Sequence, residues 1–409
     1  MTTLALVSAF PPSKGSLNEY GYHLANVLAD RSDVDRLIIL ADRYDGPEPE
    51  RDLSPKIEIR RVWRFNQWRT PFTIATAARR LEVDGVVFNL QTASFGDREI
   101  AAALGLMAPA MTQFLGRRTG VIAHNLIDAM DVEKAAIGKA PLRAGIIRLA
   151  GKVFTRGLLE ADYVTVTLDG FADILEKKYG ARNAFMVPHG TFPAAPFDLR
   201  PIAERAPIIA TMGKFGTYKR LERLIAAFQA VRAAHPDIGV KLRIGGGNHP
   251  ATPGYIENLK ACHRGDPDIE FVGYVPEEDV AAFFSTSRLA VFDYDATTGS
   301  SGVLHQAAGF GTPAAYPLLG DFIDVTRREG LTGYHYKPLQ TESLTRALET
   351  AILDTKQSEQ IMRANLEVSN ALPIATVAAF HVAMMKRRRG IKRKIRRFYA
   401  NRRQRVAKL

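Results

Sequence analysis

Two lysines stand five residues apart in the stretch Met212-Gly213-Lys214-Phe215-Gly216-Thr217-Tyr218-Lys219-Arg220, which leaves an apolar run and leads into a strongly periodic helix. Lysine supplies a compact positive charge and a helix N-terminus supplies unpaired N–H groups, so the pattern suits a phosphate. Paired lysines in a loop can equally be solvated surface. A second loop, Thr297-Thr298-Gly299-Ser300-Ser301-Gly302-Val303-Leu304, opens another helix, which runs to Gly309 and the stop Gly311-Thr312-Pro313. Its small residues allow close backbone approach and its helix offers further N–H donors, a second anion site. The plainer reading is a helix start capped by Ser or Thr. Two such loops at neighbouring strand ends point to a diphosphate ligand.

These loops need rigid elements behind them. Apolar, β-rich runs alternate with helical stretches along the chain, the pattern of parallel α/β domains. Strands are expected at 4–9, 37–41, 57–62, 84–90, 119–123, 163–167 and 184–187. The alternation restarts with strands at 208–212, 241–244, 269–272, 289–292 and 314–317. Helices are expected at 23–28, 145–159, 221–235, 277–285, 302–309, 342–353 and 359–366. Residues 213–219 and the run Gly245-Gly246-Gly247 read as loops following strands. The proline-rich stretch 188–207 reads as the connection between two doubly wound halves. Ligands of such sheets bind beyond the carboxyl ends of the strands, so a cleft between two halves is the expected site.

Composition narrows the function classes. The chain has 409 residues, 46% hydrophobic and 24% charged, which is ordinary globular usage. The single cysteine, Cys262, cannot form an internal disulfide or a cysteine metal cluster and fits a reducing compartment. No apolar run approaches the ~20 residues of a spanning helix, and the start reads as a buried strand rather than a signal peptide. The net charge of +12 is unevenly placed. Residues 386–409 hold 13 Lys+Arg and no acid, leaving 42 basic against 43 acidic residues over 1–385. Ile391, Ile395 and Phe398 recur along this tail at helical spacing, so it reads as a basic stripe for an anionic membrane surface. A solvated tail and a nucleic-acid contact are the alternatives. Residues 142–159, with Arg143, Arg148, Lys152 and Arg156 among apolar residues, read either as a core-facing helix or as a second lipid-facing surface.

The ordered set Gly-Lys-x4-Lys, the leucine-rich helix after it, Gly245-Gly246-Gly247, Phe271-Val272-Gly273-Tyr274-Val275, Glu277/Glu278 and Gly302-Val303-Leu304-x-x-Ala307 before Gly311-Thr312-Pro313 resembles the retaining GT-B glycosyltransferases of family 4, the group 1 type. In the first half the resemblance includes Pro11-Pro12-Ser13-Lys14-Gly15, Gly120-Val121-Ile122-Ala123-His124-Asn125, Ala161-Asp162 and Val187-Pro188-His189-Gly190. It spans residues 4 to about 370. It implies an α/β GT-B fold of two Rossmann-like domains facing a cleft. These would be an acceptor-side domain at 1–190, a linker at 191–206 and a nucleotide-sugar domain at 207–370. A helix at 371–385 could cross back before the tail at 386–409. By the same resemblance, Lys214 and Lys219 would hold the donor diphosphate with the N–H groups of Gly302, Val303 and Leu304. Gly273, Tyr274 and Val275 would line the base pocket, Gly15 would approach the diphosphate and acceptor, and His124 would lie by the transferred sugar. The activity implied is retaining, metal-independent hexose transfer from a nucleotide diphosphate sugar to a glycan or lipid-linked acceptor. No cofactor, metal or nucleic-acid partner is expected. The location implied is cytoplasmic, peripheral on the inner membrane face.

The chain departs from the family where two glutamates commonly stand eight apart. Thr298 and Gln306 occupy those positions. Gln306 can still hydrogen-bond a ribose, whereas Thr298 cannot replace a carboxylate. Three readings follow: transfer without that carboxylate, which we favour; a substitute acid such as Asp293 or Asp295; or an inactive, sugar-nucleotide-binding relative. Asp293-Tyr294-Asp295 also reads D-x-D, the metal signature of the other, single-domain glycosyltransferase fold, but it sits at a strand end of a two-domain pattern. His189 and His305 read as structural, and His124 without the family context reads as a buried, satisfied histidine. No zinc spacing and no Gly-x-Ser-x-Gly elbow occurs.

Overall fold

The computed structural model describes residues 2–13, 15–47, 53–129, 151–192, 197–296 and 299–387. Thr298, the tail residues 388–409 and the 142–150 part of the basic helix lie outside the described residues. Seven strands form the first sheet: β1 (Thr3–Val7), β2 (Arg36–Asp42), β3 (Ile57–Trp63), β4 (Gly85–Leu90), β5 (Thr119–Ala123), β6 (Tyr163–Val166) and β7 (Ala184–Met186). All pair in parallel, in the order β3-β2-β1-β4-β5-β6-β7. Six more form the second: β8 (Ile208–Phe215), β9 (Lys241–Asn248), β10 (Ile269–Gly273), β11 (Leu289–Val291), β12 (Ala314–Pro317) and β13 (Tyr334–Tyr336). They run in parallel in the order β10-β9-β8-β11-β12-β13. The expected α/β architecture of two parallel sheets with interleaved helices is present.

Parallel strands are covered on both faces, which is why β1, β4 and β5 are near-continuous apolar runs buried along their length. The helices Asn18–Ala29, Asp169–Tyr179, Glu222–Ala234 and Gly320–Glu329 cover the sheets with their apolar faces. Two of these end at left-handed glycines, Gly180 (φ 65°) and Gly330 (φ 87°), which supply the positive φ that a helix stop takes. The helix Ile374–Lys386 packs on the first sheet. His381 Nδ1 lies 2.8 Å from the Tyr163 hydroxyl, and Lys386 pairs with Asp33 at 2.9 Å.

Two expected loops are strand instead. β8 continues through Gly213, Lys214 and Phe215, and β9 continues through Gly245, Gly246 and Gly247, paired residue by residue. Glycine runs normally mark breaks in a strand. Here they permit the two backbones to close up: Gly246 has φ +113°, and a β-carbon on it would lie 1.9 Å from the Gly213 carbonyl oxygen. The turn itself is at 216–219, closed by a Gly216 N–H to Lys219 carbonyl bond of 2.9 Å. Several helices gave no clear periodic signal in the sequence, among them Thr70–Arg80, Asp169–Tyr179 and Gly320–Glu329. Among the described residues no helix is long and apolar enough to cross a membrane.

Candidate functional site

Side chains following β1, β4 and β5 are wired together. Asn89, in β4, donates through Nδ2 to Ser8 Oγ (2.9 Å) and to the Leu17 carbonyl (3.3 Å), leaving its Oδ1 to face His124 Nε2 at 2.7 Å. The carbonyl fixes the amide orientation, so His124 carries its proton on Nε2 and its lone pair on Nδ1. Burial lowers the His124 pKa to about 3, so the ring is neutral. Gly15 sits in the loop after β1, where a β-carbon would press within 2.8 Å of Ala9 and 3.2 Å of the Asp42 carboxylate. Its N–H donates to Ser13 Oγ at 3.1 Å, and Ser13 in turn donates to Asp42.

The second sheet meets this assembly directly. A β-carbon on Gly299 would be 2.7 Å from the His124 carbonyl oxygen, and one on Gly302 would be 3.4 Å from His189 Nε2. Tyr20 stands edge-on between His124 (4.4 Å) and His189 (4.8 Å), and His189 stacks on His305 at 4.9 Å. His305 bonds the buried Glu329 carboxylate at 2.7 Å. Burial opposes charge on His305, but Glu329 outweighs it and raises the pKa, whereas burial and then the neighbouring His305 hold His189 well below its usual value. The structural reading of His189 and His305 therefore fits their packing.

Lys214 is exposed at the end of β8, and Lys219 is half-buried with Nζ 4.3 Å from the Tyr294 ring centroid. Burial alone would lower the Lys219 pKa; Tyr294 and Tyr218 beside it raise it to about 12, so the charge is kept. Gly213 lies against this side chain: a β-carbon on it would be 3.6 Å from Lys219 Cδ and 3.8 Å from Nζ, ordinary contact distances. β11 pairs with β8, so the 299–302 turn and the lysine turn leave the carboxyl ends of neighbouring strands. Ser301, at φ 54°, precedes the helix Gly302–Gly309, on which Val303 is half-buried and Leu304 and Gln306 are buried. Thr217 Oγ1, Ser301 Oγ and Gln306 Nε2 are buried with no hydrogen-bond partner among the described residues. Gly273, at φ +76°, ends β10; Tyr274 beyond it is 56% exposed and Val275 is buried.

Asp293 and Asp295 are held by one arginine. Arg223 Nε lies 2.8 Å from Asp293 and its Nη2 lies 2.6 Å from Asp295, while the Tyr336 hydroxyl donates to Asp293 at 3.0 Å. In this arrangement both carboxylates are turned to Arg223. Among the described residues no group of three or more His, Cys, Asp or Glu could hold a metal ion.

One group was missed in the sequence. Glu19, on the first helix, faces His23, Glu277 and Lys214, and His23 Nε2 bonds Glu277 at 2.8 Å across the two sheets' elements. His23 and Glu277 are 254 positions apart, so no local pattern marks them. Burial, then Glu277, raises the Glu19 pKa to about 7 against His23 and Lys214. Glu19 binds its proton more tightly folded than unfolded. Its contribution to stability is therefore whole below pH 4.5 and is lost as pH rises through about 7, by at most roughly 3.5 kcal/mol. Glu19→Gln is expected to flatten the thermal-stability profile between pH 4.5 and 7 and to raise the midpoint at pH 8. Parallel slopes for the two proteins would show that Glu19 does not titrate in that window.

Residues 197–367 match the family model described as glycosyl transferases group 1. No curated protein matches the chain. Among solved structures, sucrose-phosphate synthase from Thermosynechococcus elongatus is similar with a TM-score of 0.67 at 18% identity, over 94% of this chain and 98% of that one. HepE from Anabaena, in complex with UDP-glucose, gives 0.64 at 14% identity, over 94% and 98%. The α,α-trehalose 6-phosphate synthase from Burkholderia multivorans gives 0.63 at 13% identity, over 94% and 96%. The chain thus has the GT-B fold, and its second half carries the pattern of the group 1 glycosyl transferases.

Proposed function

We propose that the protein transfers a hexose from a nucleotide diphosphate sugar to a glycan or lipid-linked acceptor, with retention of configuration and without a metal. The observation that carries this reading is the set of buried, unpartnered polar atoms, Thr217 Oγ1 and Ser301 Oγ on the two turns and Gln306 Nε2 on the helix that the second turn opens, beside Lys219. Buried polar groups are almost always paired, so three of them near the two turns suit a polar ligand that would complete their bonding. The match to glycosyl transferases group 1 covers these turns, and HepE binds UDP-glucose on the same fold.

In this reading Lys214, Lys219 and the N–H groups of Gly302, Val303 and Leu304 hold the diphosphate. Gln306 bonds the ribose, Thr298 stands near the sugar, and the backbone of Gly273, Tyr274 and Val275 borders the base. Gly15 keeps the first sheet's loop thin enough to approach the diphosphate and acceptor. Neutral His124 presents an uncharged ring by the sugar. With Asp293 and Asp295 engaged by Arg223, no carboxylate of that pair shares in the step. The leaving diphosphate then takes the acceptor's proton, and the protein positions the reactants and stabilises phosphate charge. Closure through contacts such as His23–Glu277 would exclude water and limit donor hydrolysis. The tail, residues 386–409, would hold the protein on an anionic membrane at the cytoplasmic face.

A thermal-shift panel of UDP, GDP and ADP with their sugars tests the reading. A cognate ligand at 100 times its dissociation constant is expected to stabilise the fold by about 2.7 kcal/mol. A panel in which no nucleotide diphosphate raises the midpoint would overturn it. Binding without any transfer or donor hydrolysis would favour the inactive alternative motivated by Thr298 and Gln306.

A further inference from the structure

Residues 59–81, IRRVWRFNQWRTPFTIATAARRL, hold six arginines, both tryptophans of the chain and no acid. They are set in a body, residues 1–385, whose charges as a whole nearly cancel. The fold turns this composition into a surface. Trp68 is 56% exposed, Phe72 53% and Phe65 44%, at the start of the helix Thr70–Arg80 beside the edge strand β3. Asn66 bonds the Asp97 and Arg98 N–H groups, which brings the helix Glu99–Gly105, with Ile100 75% exposed, alongside Phe65. At the other end, Arg117 donates to the Arg79 carbonyl at 2.7 Å, which places the helix Ala108–Phe114 and its 89% exposed Phe114 there. Along the helix Thr70–Arg80 runs an open groove of about 600 Å³ lined by Trp68 and Phe72 and bordered by Arg43, Arg69 and Arg80, with no acidic side chain among its lining residues. The Arg69 guanidinium lies 4.8 Å from the Trp68 ring.

Exposed aromatic and aliphatic side chains rimmed by arginine suit one environment above others. Trp and Phe settle at the boundary of headgroups and acyl chains, and arginine stems lie along apolar surface while their heads meet phosphates. Ile100 and Phe114 would bury in acyl chains, whereas a nucleic-acid platform would favour stacked aromatics alone. We infer that this face is a docking surface for a bilayer bearing anionic headgroups. It is separate from the tail and does not depend on the sugar-transfer reading. Arg43 and Arg64 follow β2 and β3, so docking there would set the carboxyl ends of the first sheet, and the cleft beyond them, close to the membrane.

The two tryptophans make the test direct. Trp63 is buried and donates to the Leu40 carbonyl at 3.0 Å, so only Trp68 can report on the surface. The full chain is mixed with vesicles of phosphatidylglycerol and phosphatidylcholine, with phosphatidylcholine vesicles alone, and with single-stranded poly(U) RNA. Anionic vesicles are expected to shift Trp68 emission to the blue, and brominated acyl chains to quench it; Trp68→Phe removes both signals. Each of Arg69→Gln and Arg80→Gln is expected to lower vesicle partition on the order of fivefold, with unchanged circular dichroism. Co-sedimentation with anionic vesicles and no change in Trp68 emission would leave docking to the tail and overturn the inference. A response to poly(U) without one to vesicles would overturn it in favour of nucleic acid.

Discussion

Lys219→Ala is expected to lower the rate of sugar transfer by on the order of 10²–10³-fold, the loss typical of removing one fixed charge or donor from a developing anion. Three observations give this lysine more weight than its partner. It is half-buried, where charge is less screened; its ammonium is fixed 4.3 Å from the Tyr294 ring; and Tyr294 and Tyr218 keep it charged. Lys214 is exposed and solvated, so Lys214→Ala is expected to cost about two- to fivefold, in the range of a single screened contact. Loss of the cation–π contact in Lys219→Ala costs the fold ~1–2 kcal/mol at this half-buried site, so a modest fall in the thermal midpoint is expected beside the much larger loss of rate. Initial rates and thermal midpoints of the parent, Lys219→Ala and Lys219→Arg decide the matter. A rate in Lys219→Ala within fivefold of the parent would remove Lys219 from the donor cradle.

Gly246→Ala is expected to destabilise the protein by roughly 3–5 kcal/mol, because the residue combines a positive φ with a backbone clash. At φ +113° an alanine is strained, and its β-carbon would stand 1.9 Å from the Gly213 carbonyl oxygen. That atom is backbone in a paired strand, so relief requires β8 and β9 to part. Gly247, the next residue, has open space around its β-carbon position and no positive φ, so Gly247→Ala is expected to leave stability nearly unchanged. Denaturant midpoints for the two variants give the comparison, and equal midpoints would show that the ribbon yields freely. Gly247 pairs with Lys214, so a parted ribbon would also displace that lysine and weaken nucleotide binding.

What the sequence conveyed follows from which forces are local. β5 and β12 were legible to the residue, since strands buried on both faces are continuous apolar runs. The helix Gly320–Glu329 was not, because its sequence is rich in charge and only Phe322 and Val325 are buried. The two lysines, the small-residue turn and the basic tail were visible as residue types at fixed spacing. Their meaning as a site depended on β8 pairing with β11, which brings positions some 80 residues apart to one sheet edge.

The glycines show the limit most plainly. In the chain, Gly213 and Gly245-Gly246-Gly247 look like loops, because missing side chains usually signal a turn. In the fold they are strand, paired residue by residue, and at Gly246 the two backbones come so close that a β-carbon has no place. Trp63 and Trp68 make the same point with side chains. They are the same residue five positions apart, and the sequence cannot say that one is sealed against Leu40 while the other faces solvent. Glu19 and the His23–Glu277 contact had no signal, since their shifted proton affinity and pairing arise from groups on opposite sides of the cleft. The sequence by itself determined the α/β class, the two lysines and the small-residue loop at their fixed spacing, and the location of the charge excess. Only the tertiary structure decided which glycines are strand, which acids are free of arginine and which aromatic face meets the surroundings, because each of these is set by burial and by contacts between residues distant in the chain.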